Sequence, residues 1–279
     1  MSETVEKVQK IFHFDDMEVW LQDNQYIRTG YRICASYTES WMSMTYWHNE
    51  TLNIWTHLVS GVIFVGMIFN IWINWQEPMM DKVVFTIYCI CAIKCFFMSS
   101  LFHLHSHQPY KTFRLFSCLD YAGISIMIMG SCILLTYYVY YCDDTFRTLW
   151  IFLTVLVSFV GILGPFFEPF AKHPSLRAIC YIASAGISGL PVGYHMITHS
   201  IPFNANGIFF FLGMVLCYIG GAGIYVYQVP ERFSPGSFDY ILASHQIWHL
   251  CVFAAAVLFY LCALDMLAWR DMNQCQLIN

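Results

Sequence analysis

Residues 244–264 read Ser-His-Gln-Ile-Trp-His-Leu-Cys-Val-Phe-Ala-Ala-Ala-Val-Leu-Phe-Tyr-Leu-Cys-Ala-Leu, a stretch without aspartate, glutamate, lysine or arginine. A run of about 20 such residues is long enough to cross a bilayer as an α-helix. Its two histidines, His245 and His249, are four residues apart, so a helix places both imidazoles on one face. The stretch therefore predicts a membrane-spanning helix that offers two nitrogen ligands to one metal ion.

The composition of the whole chain is that of a membrane protein. Of its 279 residues, 58% are hydrophobic and only 11% are charged, whereas soluble domains carry about 25% charged residues. The formal net charge of -5 gives no basic surface and argues against nucleic-acid binding. Residues 1–45 are polar and mixed in charge, so no cleavable signal sequence is predicted.

Apolar segments divide the chain into three parts. Residues 1–45 form a polar lead, in which Phe12 to Leu21 are predicted to be a short amphipathic helix on the membrane surface. Residues 46–266 form the membrane domain, and residues 267–279 form a short tail. The predicted spans are 51–75, 83–106, 116–141, 147–168, 175–199, 204–227 and 239–264. The sequence thus predicts an all-α membrane protein, a bundle of seven transmembrane helices.

The basic residues predict the orientation of this bundle. The lead and the connections on its side carry nine lysines and arginines, and the opposite side carries three. Because basic residues collect on the cytoplasmic side, the N-terminus is predicted to be cytoplasmic and the C-terminus outside. Most cysteines lie in apolar runs as small buried hydrophobes, and Cys142 and Cys275 alone lie where an oxidising compartment can reach them.

This topology brings polar residues of three spans to one depth. His103 lies near the cytoplasmic end of span two, Asp120 about one turn into span three, and both histidines of span seven near its start. Three histidines with an open fourth position are a usual catalytic zinc site. Asp120 would then hold or deprotonate water at the open position, and Ser99, one turn from His103, would bond that water or a substrate carbonyl.

Four other histidines lie near the ends of spans two and five. A single histidine in a span is more often a helix–helix hydrogen-bond partner than a ligand, and only the shared depth favours ligation. His195 and His199 repeat the four-residue spacing, but they fall at the outer end of span five and are interpreted as boundary residues. His105 and His107 follow His103 next to the loop and are predicted to be solvated.

Two further polar features lie in or next to the spans, a group of three residues at the start of span one and a lysine in span two. Glu50, Asn53 and His57 share one face at the cytoplasmic end of span one, where a hydrogen-bonded network at the helix start is favoured over metal ligation. Lys94 lies near the middle of span two without an acidic residue at its depth, so it either faces an aqueous cavity or extends its side chain to the interface.

Motifs along most of the chain resemble those of the progestin and adipoQ receptor family, above all its adiponectin-receptor branch. They are Trp20 to Asn24 with Gly30 to Arg32, Asn49 to His57, Ser99 to His103, Leu119 to Ile124, Pro230 to Phe233, and Ser244 to His249. The resemblance implies a seven-helix protein with a zinc ion near the inner leaflet. It assigns the ligands to His103, His245 and His249, with Asp120 on the water and Ser99 beside it.

The resemblance also implies a role in lipid metabolism, since the adiponectin-receptor branch is proposed to hydrolyse ceramide. The first hypothesis is therefore a zinc-dependent amide hydrolase acting on a ceramide-like membrane lipid. The alternative is a non-catalytic receptor for an extracellular protein or steroid ligand, in which zinc is structural. A transporter or channel fits less well, because the polar groups cluster at one end of the bundle. The plasma membrane is the expected location, with an endomembrane and self-association left open.

Overall fold

The computed structural model describes residues 11–198, 202–273 and 275, without the side chains of residues 171, 172, 174 and 175. Seven helices are long and apolar enough to cross a membrane. Spans one to seven are Thr51–Asn74, Met79–His105, Tyr110–Val139, Asp144–Leu163, Pro174–Thr198, Ala205–Tyr227 and Ser244–Met272. The described residues form helices, turns and one isolated bridge, without a sheet, so the predicted all-α seven-helix fold is confirmed.

The bundle has two ends. The lead end is the end at which spans one, three, five and seven begin, and the far end is the opposite one. A short helix, Tyr37–Ser43, lies near the end of the lead, and another, Glu168–Lys172, connects spans four and five. Lys94 of span two is exposed.

Span seven begins and ends later than hydropathy predicts. The prediction was 239–264, and the helix covers Ser244–Met272. Asp239 stays in the preceding loop because its carboxylate accepts a hydrogen bond of 2.9 Å from the backbone N–H of Arg28. At the other end the helix continues through Arg270, whose charge is paired inside the bundle. Hydropathy alone detects neither of these long-range contacts.

The core lies between spans one, two, three and seven. Phe85, Tyr88 and Phe96 of span two are fully buried. The Tyr88 hydroxyl donates a hydrogen bond of 2.7 Å to a carbonyl oxygen of span seven. Spans two and three approach so closely at Gly130 that a Cβ there would lie 2.5 Å from the Cβ of Cys91. This packing fixes the relative positions of spans two, three and seven.

Spans five and six lie at the periphery of this core. Span five packs against spans three and four, whereas span six, among the described residues, has extensive contact only with span seven. The bundle is therefore open between spans five and six.

The lead folds back onto the lead end of the bundle. Phe14–Asp16 and Val19–Leu21 are separate 3-10 turns, so the predicted amphipathic helix from Phe12 to Leu21 is wrong. The reason is a pairing between residues distant in sequence. Phe12 and Tyr31 exchange backbone hydrogen bonds of 2.8 and 3.2 Å, which hold the segment extended at that point.

The far end is held together by a buried ion pair and a disulfide. Arg270 donates to both carboxylate oxygens of Asp81 at 2.6 Å, and the Tyr138 hydroxyl donates to the same carboxylate at 2.8 Å. Cys142 and Cys275, the two cysteines singled out by the sequence, form a disulfide with their Cα atoms 5.5 Å apart. These contacts connect spans two, three and seven.

We predict that Asp81→Asn lowers the free energy of unfolding by about 3 kcal/mol, because it leaves the buried guanidinium of Arg270 with only the more exposed carboxylates of Glu77 and Asp271 as counter-charges. Asp144→Asn is the matched control, since Asp144 is 86% exposed in its pair with Arg147, and we expect it to cost less than about 1 kcal/mol. Unfolding of the purified protein in detergent measures both. Equal losses would contradict the prediction.

Candidate metal centre

Three histidines from two spans meet inside the lead end of the bundle. The ring centroids of His103 and His245 are 4.8 Å apart, those of His103 and His249 4.9 Å, and those of His245 and His249 4.7 Å. One nitrogen of each ring lies within 4.8 Å of the other two. His103 and His249 are buried and His245 is half-buried. The structure thus brings the three predicted ligands into one group, here called the triad.

Hydrogen bonds from span one orient two of these rings. His103 Nδ1 lies 2.7 Å from Glu50 Oε2, and His249 Nδ1 lies 3.1 Å from Thr56 Oγ1. His103 Nε2 is buried without a hydrogen-bond partner. A ring that donates its Nδ1–H to an oxygen presents the lone pair of Nε2, and this arrangement is common for metal-binding histidines.

Glu50 lies at the site. A hydrogen-bonded network at the start of span one was predicted for it, but a contact with the triad was not. Its carboxylate accepts hydrogen bonds from the Asn53 amide at 2.7 Å and from His103. Burial of Glu50 disfavours its charged form, and these two hydrogen bonds stabilise the carboxylate. The expected network at the start of span one is present, and it extends to a residue of the triad. The shared depth of Glu50 and His103 was the signal in the sequence.

His57 lies against the triad without belonging to it. Its ring stacks on that of His249, with centroids 3.6 Å apart and planes 8° apart. Both ring nitrogens of His57 are buried without a hydrogen-bond partner. His57 therefore restricts the plane of the His249 ring by packing.

Asp120 and Ser99 lie beside the triad. Ser99 is buried, Asp120 is half-buried, and their side chains interact with each other. The Asp120 carboxylate also lies within electrostatic range of His103, but it is not one of the group whose ligand atoms approach within 4.8 Å. The Asp120 carboxylate thus interacts with one residue of the triad, His103, and with Ser99.

Next to Asp120 in the sequence, Tyr121 of span three contacts two side chains of span five. The Arg177 guanidinium lies over the Tyr121 ring, 4.5 Å from its centroid. The Tyr181 hydroxyl donates to the Tyr121 carbonyl oxygen at 3.1 Å. Polar and aromatic groups therefore line this side of the site.

The pair His195 and His199 was expected at the outer end of span five, away from the triad. His195 is on span five near its far end, where its ring contacts that of Tyr140 at 5.1 Å. His199 lies outside the described residues.

The prediction that His105 and His107 are solvated is wrong, because the lead covers both. Their exposures are 2% and 5%. The rings of Tyr37 and Tyr31 lie 5.1 and 6.0 Å from those of His105 and His107, respectively. Burial and the charge of Arg32 lower the pKa of His107 to about 3, so this side chain is neutral at physiological pH.

The donor set of the triad fits a divalent transition metal. Three neutral imidazoles suit zinc, copper, iron or nickel, whereas calcium and magnesium prefer oxygen ligands. Glu50 supplies a carboxylate behind one ligand, as is usual at histidine metal sites. The buried, unpartnered Nε2 of His103 is also costly unless something occupies the space before it. The residues present therefore fit a metal ion.

Comparison with known proteins agrees with this architecture. The family model described as "Haemolysin-III related" matches residues 45–260, which cover all seven spans from the start of span one to most of span seven. The triad, Glu50, Ser99 and Asp120 all lie within the matched region.

Curated relatives match over most of the chain. Progestin and adipoQ receptor-like protein 1 of Caenorhabditis elegans is 32% identical over 99% of this chain, and the adiponectin receptor protein of Drosophila melanogaster is 34% identical over 94%. The match covers 65% and 61%, respectively, of these two relatives. Progestin and adipoQ receptor family member 3 of Mus musculus is 31% identical over 90% of this chain and 83% of its own length. The chain is therefore an integral multi-pass membrane protein that belongs to the Haemolysin-III related family and, within it, to the progestin and adipoQ receptors.

Proposed function

We propose that this protein is a receptor-like membrane hydrolase that binds zinc through His103, His245 and His249 and cleaves the amide bond of a ceramide-like lipid. The observation that carries the proposal is the convergence of three imidazoles beside a carboxylate that is not a member of the triad. A zinc ion held by three protein ligands keeps a coordination position open, where it polarises a carbonyl and makes bound water more acidic.

The residues around the triad supply the remaining chemistry. Glu50 and Thr56 hold the rings of His103 and His249 in one orientation. Asp120 takes the proton of the attacking water and returns it to the leaving amine, since it is a carboxylate that interacts with His103 and lies outside the triad. Ser99 orients Asp120. The half-buried His245 marks the side from which substrate arrives.

A lipid substrate reaches this site from the membrane. The opening between spans five and six would admit the lipid, and exposed apolar residues of these two spans, such as Ile187, Leu190 and Leu212, would contact its chains. An acyl chain would lie in this opening, with its amide group at the triad. Because the site is at one end of the bundle, the lipid would come from the leaflet at the lead end.

The lead end faces the cytoplasm in this proposal, and the plasma membrane is the expected location. The excess of basic residues on the side of the lead supports the orientation. The disulfide between Cys142 and Cys275 at the far end also supports it, because such bonds persist in oxidising compartments.

A receptor with structural zinc is the second candidate function. The burial of His103 and His249, together with their hydrogen bonds to span one, would let a metal ion fasten spans one, two and seven to one another. An extracellular protein or steroid ligand would then act on the packing of the spans.

We predict that purified protein carries about one zinc ion per chain and that His103→Ala and His249→Ala each reduce zinc to background. His195→Ala is the matched control, because it removes a histidine from the far end of span five. Elemental analysis of the four preparations measures the effect. A His103→Ala variant with undiminished zinc would refute the site.

Asp120→Asn separates the two functions. We expect it to leave zinc content unchanged and to lower kcat for ceramide roughly 10²- to 10⁴-fold, because the group that transfers protons is lost. The measurement is release of fatty acid by wild type, Asp120→Asn and His249→Ala in detergent. If zinc-loaded wild type released no fatty acid and Asp120→Asn retained signalling, the structural-zinc receptor would replace the hydrolase.

The orientation has its own test. Cys275→Ser frees Cys142 at the far end, and we expect a membrane-impermeant maleimide to label this thiol on intact cells. The variant with both cysteines changed to serine is the control for labelling elsewhere. Labelling that requires permeabilised cells would place the far end in the cytoplasm.

A further inference from the structure

The chain before span one contacts one of the helices that carry the triad and the loop that leads into the other. The segment of residues 22–32, here called the lead segment, lies across the lead end of the bundle. It contacts the end of span two, which carries His103, and the loop of residues 228–243, which leads into span seven and His245. These two contacts are on the same short stretch of backbone.

The first contact is made by Arg32, which is only 1% exposed. Its Nη2 donates to the carbonyl oxygens of His103 and Leu104 at 2.8 and 3.1 Å. The last carbonyls of a helix have no partner within the helix and carry its negative dipole end, so a buried guanidinium satisfies them and is attracted to them. One of the two carbonyls belongs to a triad residue itself. Arg32 therefore holds the end of span two at the position of His103.

The second contact is made by Glu231, which is fully buried. Its carboxylate accepts hydrogen bonds from the backbone N–H of Ser244 at 2.8 Å, from the Ser244 hydroxyl, and from the Asn24 side chain at 2.9 Å. Ser244 is the first residue of span seven and immediately precedes His245. The first N–H groups of a helix need acceptors from outside the helix, and Glu231 is such an acceptor. Asn24 ties this cap to the lead segment.

Further hydrogen bonds join the lead segment to the same loop. Asp239 accepts from the backbone N–H groups of Arg28 and Thr29 at 2.9 and 2.8 Å, and the Gly236 N–H donates to the Tyr26 carbonyl at 3.0 Å. The loop is therefore fixed to the lead segment at several points between Asn24 and Arg32. Any change in the separation of spans two and seven at this end must break these bonds or the bonds of Arg32.

We propose that the lead segment is a clamp that sets the distance between His103 and the pair His245 and His249, with Arg32 and Glu231 as positioning residues for the metal. This inference rests on the proposed metal site and gives the lead a part in it. A metal ion binds most tightly to ligands that are already in place, and groups that support metal ligands typically contribute about 10- to 100-fold in affinity.

The test measures the zinc dissociation constant by competition with a chromophoric chelator. Arg32→Ala and Glu231→Gln are each expected to weaken zinc binding roughly 10- to 100-fold. Because both residues hold one clamp, the double variant should bind zinc little worse than the weaker single variant. Arg32→Lys, which keeps the charge and serves one carbonyl, should lose less than Arg32→Ala and gives a second measurement if Arg32→Ala does not fold.

Two variants are matched controls for these changes. Arg147→Ala removes a guanidinium that donates to the Tyr141 carbonyl beyond span three, at the far end. Glu18→Gln removes an exposed carboxylate of the lead, outside the lead segment. Both are expected to keep the zinc affinity of the wild type.

The outcomes separate the clamp from the metal site itself. Losses that add fully in the double variant would mean that each residue acts only on its own helix end, and the clamp would be overturned. A lower thermal midpoint of the metal-free protein with unchanged zinc affinity would overturn it as well. Wild type without zinc, or His103→Ala with zinc retained, would overturn the proposed function and the clamp together.

Discussion

The hydrogen bond between Glu50 and His103, 2.7 Å long, is the interaction on which the site depends. A carboxylate inside an apolar bundle is costly unless charged or hydrogen-bonding groups surround it. Here the imidazole of His103 and the amide of Asn53 provide those groups. The same bond fixes the His103 ring and turns its Nε2 towards span seven. Span one, which contributes none of the three triad histidines, thereby determines how the triad is presented.

Among the described residues, the buried charged side chains lie at the two ends of the bundle, and aromatic side chains fill much of the region between them. At the far end Asp81 and Arg270 pair with each other. At the lead end Arg32 bonds helix carbonyls, and Glu231 bonds a helix start. Each of these four charged groups therefore pairs with an opposite charge or bonds the unsatisfied backbone groups at a helix end, as an environment without water requires. Stability at the far end and ligand geometry at the lead end can therefore vary separately.

The sequence predicted the features that follow from hydropathy and helical spacing. Seven apolar runs gave the spans, and their alternating direction placed His103 at the depth of His245 and His249. It did not predict how the lead and the loop before span seven contact the bundle. The lead covers His105 and His107, Tyr31 pairs with Phe12, and Asp239 bonds the lead and so delays the start of span seven. None of these partners is implied by local periodicity, since each depends on how the chain returns to itself.

X-ray absorption at the zinc edge of the purified protein tests the central claim most directly. If the triad holds the zinc ion, we expect nitrogen scatterers at roughly 2.0–2.1 Å from it, with the outer-shell pattern of three imidazoles. Scattering from sulfur near about 2.3 Å, or a first shell of oxygen without imidazole carbons, would contradict it. Either result would mean that His103, His245 and His249 meet for some purpose other than holding a metal ion.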